Sequence, residues 1–366
     1  MKKCLIVIQN LTKSGSPQTF LHVIEVLRNA GYSVDTYVYA LRNKSTDLYL
    51  LEEYKNACTN IYFSKLKLNG LSYKFFPFLK FKRIKKTIKN NKYDLIISNN
   101  IYFIADCCAH KKSINGAKVI FYALGNVNIK SRYAIIQKKE KYIRQYIKFV
   151  DAYLALSSVA VPTDDIVSKD KITFLMDYPN EYFPSIQKDL HEGIILGQIG
   201  YYCGNKNQLF TLEILNDLVR KGKNARIYFI GYPSSEEPQY IGRMMEYIHK
   251  NNLESHIKFL PSNSSKEQFF KKIDMLLLPS IHEGLSLTLM EAQFSNIFCL
   301  ASSGVPKDVN FGLCKFIELR KEFWIDAIES FNDLGQLKPN RIYKKEEFEE
   351  TLMSVIHQIF VEDYGE

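Results

Sequence analysis

Two carboxylates, Glu283 and Glu291, bracket the start of a helical pattern in this 366-residue chain. The apolar run Met275 to Leu278 reads as a buried strand that ends at Pro279. A turn containing Gly284 follows. From Ser286 the apolar spacing becomes helical, with Leu287, Met290 and Phe294 on one face. A strand–turn–helix of this kind places unpaired backbone N–H groups and the positive end of a helix dipole at a strand's carboxyl end, which suits an anion. The spacing alone equally fits an ordinary strand–helix unit with surface acids.

A second chemical element lies upstream. The run from Gly197 to Gln208 turns on Gly200, Tyr201 and Gly204, and sets Lys206 just before a helix. A lysine there neutralises a phosphate as a point charge. Gly231 and the pair Pro261-Ser262 close two further apolar runs. Strand ends presented together form the edge at which doubly wound sheets bind ligands. In the first half, Ser14-Gly15-Ser16 follows the first strand, and small residues there let a substrate approach the backbone. This loop lacks the G-x-G-x-x-G spacing of a dinucleotide fingerprint. Gly125 and Asn126 follow another strand where polar groups would face a ligand, and His110 reads as a helix-surface or packed histidine rather than a catalyst.

The elements that must hold these residues are strands alternating with amphipathic segments. Strands are predicted at 5–9, 34–39, 61–63, 95–98, 119–124, 152–156 and 172–175, then at 194–199, 227–230, 257–260, 275–278 and 298–301. Helical spacing covers 19–30, 208–221, 237–251 and 344–360. The alternation predicts an α/β chain of two doubly wound parallel-sheet, Rossmann-like domains facing across a cleft. Their predicted bounds are 1–182 and 183–343, with 344–366 a terminal helix that crosses back to the first domain. Prolines and polar residues from Pro179 to Glu192 mark the join.

Composition sets the class. The chain is 46% hydrophobic and 24% charged, the balance of a globular protein, with no run approaching the ~20 apolar residues of a membrane span. The opening apolar run is too short for a signal core and reads as a first strand. Seven scattered cysteines show no zinc-ligand spacing, which predicts free thiols in a reducing compartment. No Asp-x-Asp pair appears and no metal is expected. The net charge of +10 is uneven: residues 1–180 hold 29 Lys and Arg against 13 Asp and Glu, and residues 181–366 hold 20 against 26. Lys65 to Lys92 contains ten basic residues, no acid and several aromatics. Lys80, Lys82, Arg83, Lys85 and Lys86 form its densest part. Basic charge interleaved with aromatic side chains suits an anionic lipid surface. No nucleic-acid recognition module accompanies it, so lipid is preferred to nucleic acid. A solvated basic helix with core aromatics is the plainer alternative.

Lys206-Asn207-Gln208, Leu278-Pro279-Ser280 and the span from Glu283-Gly284-Leu285 to Glu291-Ala292-Gln293 resemble a retaining glycosyltransferase of the GT-B fold, family 4 (group 1), in its bacterial capsular and exopolysaccharide branch. The resemblance covers Gly197 to about Ile328 well and the first half in outline, chiefly through the Ser14-Gly15-Ser16 loop. It implies that Glu291 binds the ribose hydroxyls of a nucleotide-diphosphate sugar, a UDP-sugar by expectation. Backbone N–H groups from Gly284 through Leu285, Ser286, Leu287 and Thr288 would hold the diphosphate, and Glu283 would sit at the donor sugar. Lys206 would neutralise the leaving group beside Gly200 and Tyr201, and the loop at Gly15 would close over donor and acceptor. Two positions depart from the family pattern: Tyr201 stands where an arginine is usual, and the loop Phe121 to Asn128 lacks the common histidine.

The expected function is transfer of a sugar to a lipid-linked oligosaccharide or polysaccharide acceptor in cell-surface polysaccharide synthesis. The enzyme would be cytoplasmic, metal-independent and peripheral on the inner face of the membrane. Two alternatives stand beside it: a catalytically weak or inactive nucleotide-sugar or glycan-binding GT-B protein, and a nucleotide-sugar epimerase.

Overall fold

A computed structural model describes the chain except residues 13–14, 40–45, 65–76, 128–133, 235–236, 332–337 and 362–366; for 77–83 and 134–139 it describes the backbone alone. The chain divides into two compact units, Met1–Asp177 with Lys345–Glu366, and Tyr178–Lys344. The division falls at Asp177/Tyr178 rather than at 182/183.

The first unit is built on seven parallel strands: β1 (Lys3–Ile8), β2 (Ser33–Val38), β3 (Asn60–Phe63), β4 (Leu95–Ser98), β5 (Lys118–Ala123), β6 (Ala152–Ala155) and β7 (Ile172–Phe174). Their order is β3-β2-β1-β4-β5-β6-β7, so the sheet reverses direction of winding between β1 and β4. Cys4 to Ile8 are all buried, because a parallel sheet carries helices on both faces and its central strands meet no water. The covering helices are α1 (Gly15–Asn29), α2 (Leu48–Ala57), α3 (Pro77–Asn91), α4 (Ile101–Ala109) and α5 (Ala134–Ile147). One core unites Leu5, Val7 and Ile96 of the sheet with Ile84 and Ile88 of α3, Ile104 of α4, and Ile143 and Ile147 of α5. Asp47 and Asn100 start α2 and α4 by accepting from the N–H groups of Leu50 and Phe103.

The second unit repeats the plan with β8 (Ile194–Ile199), β9 (Ala225–Ile230), β10 (Ile257–Leu260), β11 (Met275–Leu278), β12 (Phe298–Ser302) and β13 (Cys314–Ile317). All pairs are parallel and the order is β10-β9-β8-β11-β12-β13. Its helices are α6 (Gln208–Arg220), α7 (Tyr240–Lys250), α8 (Lys266–Lys272), α9 (Leu287–Phe294) and α10 (Lys321–Glu329). β13 was not anticipated. It is a four-residue edge strand in which Lys315 is exposed, so neither an apolar run nor a clean alternation announces it. Trp324 of α10 is fully buried, edge-on to Phe210 of α6, and donates its indole N–H to the Glu318 carbonyl at 2.9 Å.

The last helix, α11 (Lys345–Val361), belongs to the first unit. Its Lys345 ammonium pairs with Glu25 of α1, and its Phe348 ring lies edge-on to His22, centroids 6.4 Å apart. His22 is itself buried, with Nδ1 2.6 Å from Asp177 Oδ1, while Thr19 donates to the other oxygen of Asp177 at 2.6 Å. The end of the first unit's main segment is therefore fixed to α1 by a satisfied polar cluster.

Candidate functional site

In the second sheet, strand order reverses between β8 and β11, and the loops leaving these two strands open side by side at their carboxyl ends. That is where doubly wound sheets hold ligands. The loop after β8 carries Lys206 and the loop after β11 carries Glu283. Lys206 Nζ stands 2.6 Å from Glu283 Oε1, with the two side chains 21% and 11% exposed.

The loop after β8 is held from several sides. Gln198, buried at the end of β8, donates to the Lys206 carbonyl at 2.7 Å and accepts from Thr211 of α6 at 2.8 Å. Gln208 donates to the Tyr201 carbonyl at 2.7 Å. Asn207 takes the left-handed conformation, φ 55°, that lets the chain turn into α6. Gly200, at φ 147°, occupies backbone space that side-chain-bearing residues rarely enter. A Cβ on Gly231 would lie 2.1 Å from the Gly200 carbonyl oxygen, so the ends of β8 and β9 approach this closely only because residue 231 is glycine.

Asn205 joins the two loops. Its amide donates to the His282 carbonyl at 2.9 Å, its Oδ1 accepts from the His282 N–H at 3.1 Å, and its own carbonyl accepts from the Ile281 N–H at 2.8 Å. The Glu283 N–H is in turn bonded to the Gly304 carbonyl at 3.2 Å. Lys206 thus meets Glu283 across a stitched pair of loops.

Glu291 sits one helix further on. α9 begins after Ser286, whose Oγ accepts from the Leu289 N–H at 3.3 Å. Ser286 therefore caps the helix, and it is itself buried. The first N–H groups of any helix lack intrahelical partners, so Leu287 and Thr288 supply donors at this turn. The predicted single apolar face of α9 is too narrow. Leu289, Ala292 and Gln293 are buried as well as Met290 and Phe294, because the helix is enclosed on every side, whereas Leu287 is only half-buried. Glu291 lies inside this enclosure. Its Oε1 is 2.6 Å from Lys266 Nζ, and its Oε2 is buried without a hydrogen-bond partner among the described residues. Burial pushes the carboxyl above its ordinary range, and Lys266 opposes the rise.

The other predicted positions are distributed as follows. Gly284 and Leu285 are half-buried between Glu283 and Ser286. Tyr201 is half-buried with its ring edge-on to Tyr232, centroids 4.5 Å apart. Pro261 and Ser262 are exposed just after β10. In the first unit, Gly15 and Ser16 open α1, and Ser16 Oγ accepts from the Asn99 amide at 2.8 Å. These two residues lie at the reversal between β1 and β4. Gly125 and Asn126 follow β5. Ser14 lies outside the described residues, as do the side chains of Lys80, Lys82 and Arg83. On α3, Lys86 is exposed and Lys85 half-buried, while Ile84 and Ile88 enter the core. His110 is an exposed residue at the end of α4, a helix-surface rather than a packed histidine, and its Nδ1 lies 3.0 Å from the Asp106 carbonyl oxygen. Among the described residues no group of three or more His, Cys, Asp or Glu is placed to hold a metal ion. No helix among them is long and apolar enough to cross a membrane.

Gln198, Asn205 and Lys266 were not assigned roles from the sequence. Gln198 and Asn205 fall in the glycine-rich run already singled out. Lys266 carries no motif signal, since only the fold brings the start of α8 to Glu291.

Two doubly wound parallel sheets flanked by helices define the GT-B glycosyltransferase architecture. The comparison with known proteins agrees. Residues 193–320 match the family model described as Glycosyl transferases group 1. The chain is 27% identical over 120 residues to the putative glycosyltransferase EpsF of Bacillus subtilis (strain 168), a match that spans 33% of this chain and 30% of that protein's length. It is 20% identical over 319 residues to the capsular polysaccharide biosynthesis glycosyltransferase CapH of Staphylococcus aureus, covering 83% of this chain and 82% of that one. In three dimensions it is similar to HepE of Anabaena, solved in complex with UDP, at a TM-score of 0.73 and 12% identity over 98% of this chain and all of that one.

Proposed function

We propose that the protein is a retaining glycosyltransferase that moves a sugar from a UDP-sugar to a lipid-linked oligosaccharide or polysaccharide acceptor in cell-surface polysaccharide synthesis. The observation that carries this reading is the Lys206–Glu283 contact at the β8/β11 reversal, with Glu291 in the helix that follows. The names of EpsF and CapH and the UDP found with HepE support it.

In the free protein Lys206 and Glu283 neutralise one another. An arriving diphosphate offers Lys206 a second set of anionic oxygens and takes further N–H donors from the start of α9. Glu283 then faces the donor sugar and stabilises positive charge developing at its anomeric carbon. The bond from that carbon to the β-phosphate oxygen breaks, and its electron pair leaves with the nucleotide. The acceptor hydroxyl oxygen forms the new bond on the same face, and its proton passes to the departing phosphate. Lys206 stabilises the charge on the leaving group without a metal. Glu291 holds the ribose, since a carboxylate accepts both hydroxyls of a cis-diol. The basic stretch around α3 places the enzyme on the inner, anionic face of the membrane.

A second reading is a GT-B protein that binds a nucleotide sugar without turning it over. The uncharged Tyr201 beside Lys206 favours it. Incubation with a panel of nucleotide sugars, with and without membrane lipid extract, separates the two. Release of nucleoside diphosphate that depends on the extract supports transfer. Tight binding with no release supports the second reading, and conversion of the donor to an epimer contradicts both.

A further inference from the structure

Lys266 opens α8 and reaches away from it. The helix start is capped by Ser265, whose Oγ accepts from the Gln268 N–H at 3.3 Å. The Lys266 ammonium lies 2.6 Å from Glu291 Oε1 and 3.5 Å from Glu181 Oε1. The Glu291 side chain is only 6% exposed, and its second oxygen has no hydrogen-bond partner among the described residues. An unpaired acceptor on a buried carboxylate is costly, and a polar environment that leaves one in place invites a donor from outside.

We propose that Lys266 is a positioning residue for nucleotide recognition: it keeps Glu291 ionised and occupies Oε1, so that Oε2 is the acceptor offered to a vicinal diol. This rests on the donor-site reading above. Protonated Glu291 would turn one oxygen from acceptor to donor and recognise the two hydroxyls poorly. Burial drives the carboxyl toward that protonated state. Lys266, from α8, is the cation that opposes it, and Glu181, from the segment entering this unit, is the acid that weakens the opposition. Glu181 is half-exposed and its Oε1 is the more distant of the two. It gives Lys266 a second resting place when a ligand reaches Glu291.

Two measurements on the full chain test this. The first follows the Glu291 carboxyl in ligand-free protein by carbon-13 NMR of labelled glutamate, identified by its loss in Glu291→Gln. Lys266→Ala is expected to raise the midpoint by at least about one pH unit, and Lys266→Arg to restore it. The second is calorimetric titration with UDP between pH 6 and 8.5. Lys266→Ala is expected to weaken binding about tenfold at pH 6, with the deficit shrinking as pH rises and Glu291 ionises. Wild type and Lys266→Arg are expected to vary little. An unchanged Glu291 midpoint in Lys266→Ala, or a loss of affinity equal at every pH, overturns the proposal. Absence of UDP binding by wild type removes the donor-site reading and this proposal together. Normal wild-type binding with Lys266→Ala indistinguishable from it removes this proposal alone.

Discussion

Lys206 and Glu283 lie on different loops, 77 residues apart in sequence, yet Nζ and Oε1 meet at 2.6 Å where the strand order of the second sheet reverses. The contact sets an ammonium and a carboxylate at the turn that leads into α9, so one place in the fold offers charge of both signs, which is what the proposed transfer from a nucleotide-diphosphate sugar requires.

Lys206→Ala is expected to lower kcat about a hundredfold, the scale on which loss of one charge-stabilising donor is felt at a transition state. Glu283→Gln is expected to lower kcat comparably while changing the UDP dissociation constant by less than about threefold. Steady-state kinetics with the best donor from the panel, alongside UDP titration, checks both. A Glu283→Gln variant with wild-type kcat would remove the carboxylate from the chemistry.

Asn205 makes two side-chain hydrogen bonds to the backbone of His282 and so sets the spacing of Lys206 from Glu283. Asn205→Ala is expected to reduce kcat by about tenfold or more, since misplacement of reacting groups by an ångström is expensive. Its effect on global stability should be about 1–2 kcal/mol. Urea unfolding and kinetics on the same preparation separate the two. Stability lost without any loss of kcat would make Asn205 a structural staple only.

The sheets were legible in the sequence because their strands are short apolar runs separated by helical spacing; Leu95 to Ser98 and Met275 to Leu278, buried at every position, are examples. β13 was missed because an edge strand that exposes Lys315 has no such run. Glu283 and Lys206 could be singled out because each stands in a loop at a strand's end marked by glycine or proline, and Glu291 because it follows Glu283 at a fixed spacing inside the helical pattern. Lys266 was not, because its partner is 25 residues away on another helix and the pairing depends on packing. The burial around α9 was underestimated for a related reason: Gln293 looks like a surface residue but is enclosed, with its amide bonded to the carbonyls of Leu289 and Val309.

Asp106 gives a stability test in the first unit. Burial pushes its carboxyl up to about 6, against the lowering effect of the Tyr142 hydroxyl, which donates to Oδ1 at 2.8 Å. The folded value lies above the unfolded one, so the native state holds this proton longer and stability falls as pH rises from about 4 through 6. Asp106→Asn keeps an acceptor for Tyr142 and removes the buried charge. It is expected to be more stable than wild type by about 1–3 kcal/mol at pH 7.5, with the advantage fading toward pH 4. Urea denaturation at the two pH values checks the sign. A variant less stable than wild type at pH 7.5 would contradict the account of this carboxyl.

The basic stretch around α3 should bind lipid by charge. Vesicles containing anionic lipid are expected to carry the protein upward in a flotation gradient, and neutral vesicles are not. Lys86→Glu, at an exposed position, is expected to weaken the association, by on the order of 2 kcal/mol for a full reversal of charge. Equal flotation with both vesicle types would leave α3 as a solvated helix with Ile84 and Ile88 in the core.

The most direct measurement of the central claim is equilibrium binding of UDP to wild type, Glu283→Ala and Glu291→Ala. If the β8/β11 reversal and α9 form a donor site, wild type binds UDP, Glu291→Ala loses that binding, and Glu283→Ala retains most of it. Equal loss in both variants contradicts the division of roles between the carboxylates. UDP binding that survives Glu291→Ala unchanged contradicts the donor site itself.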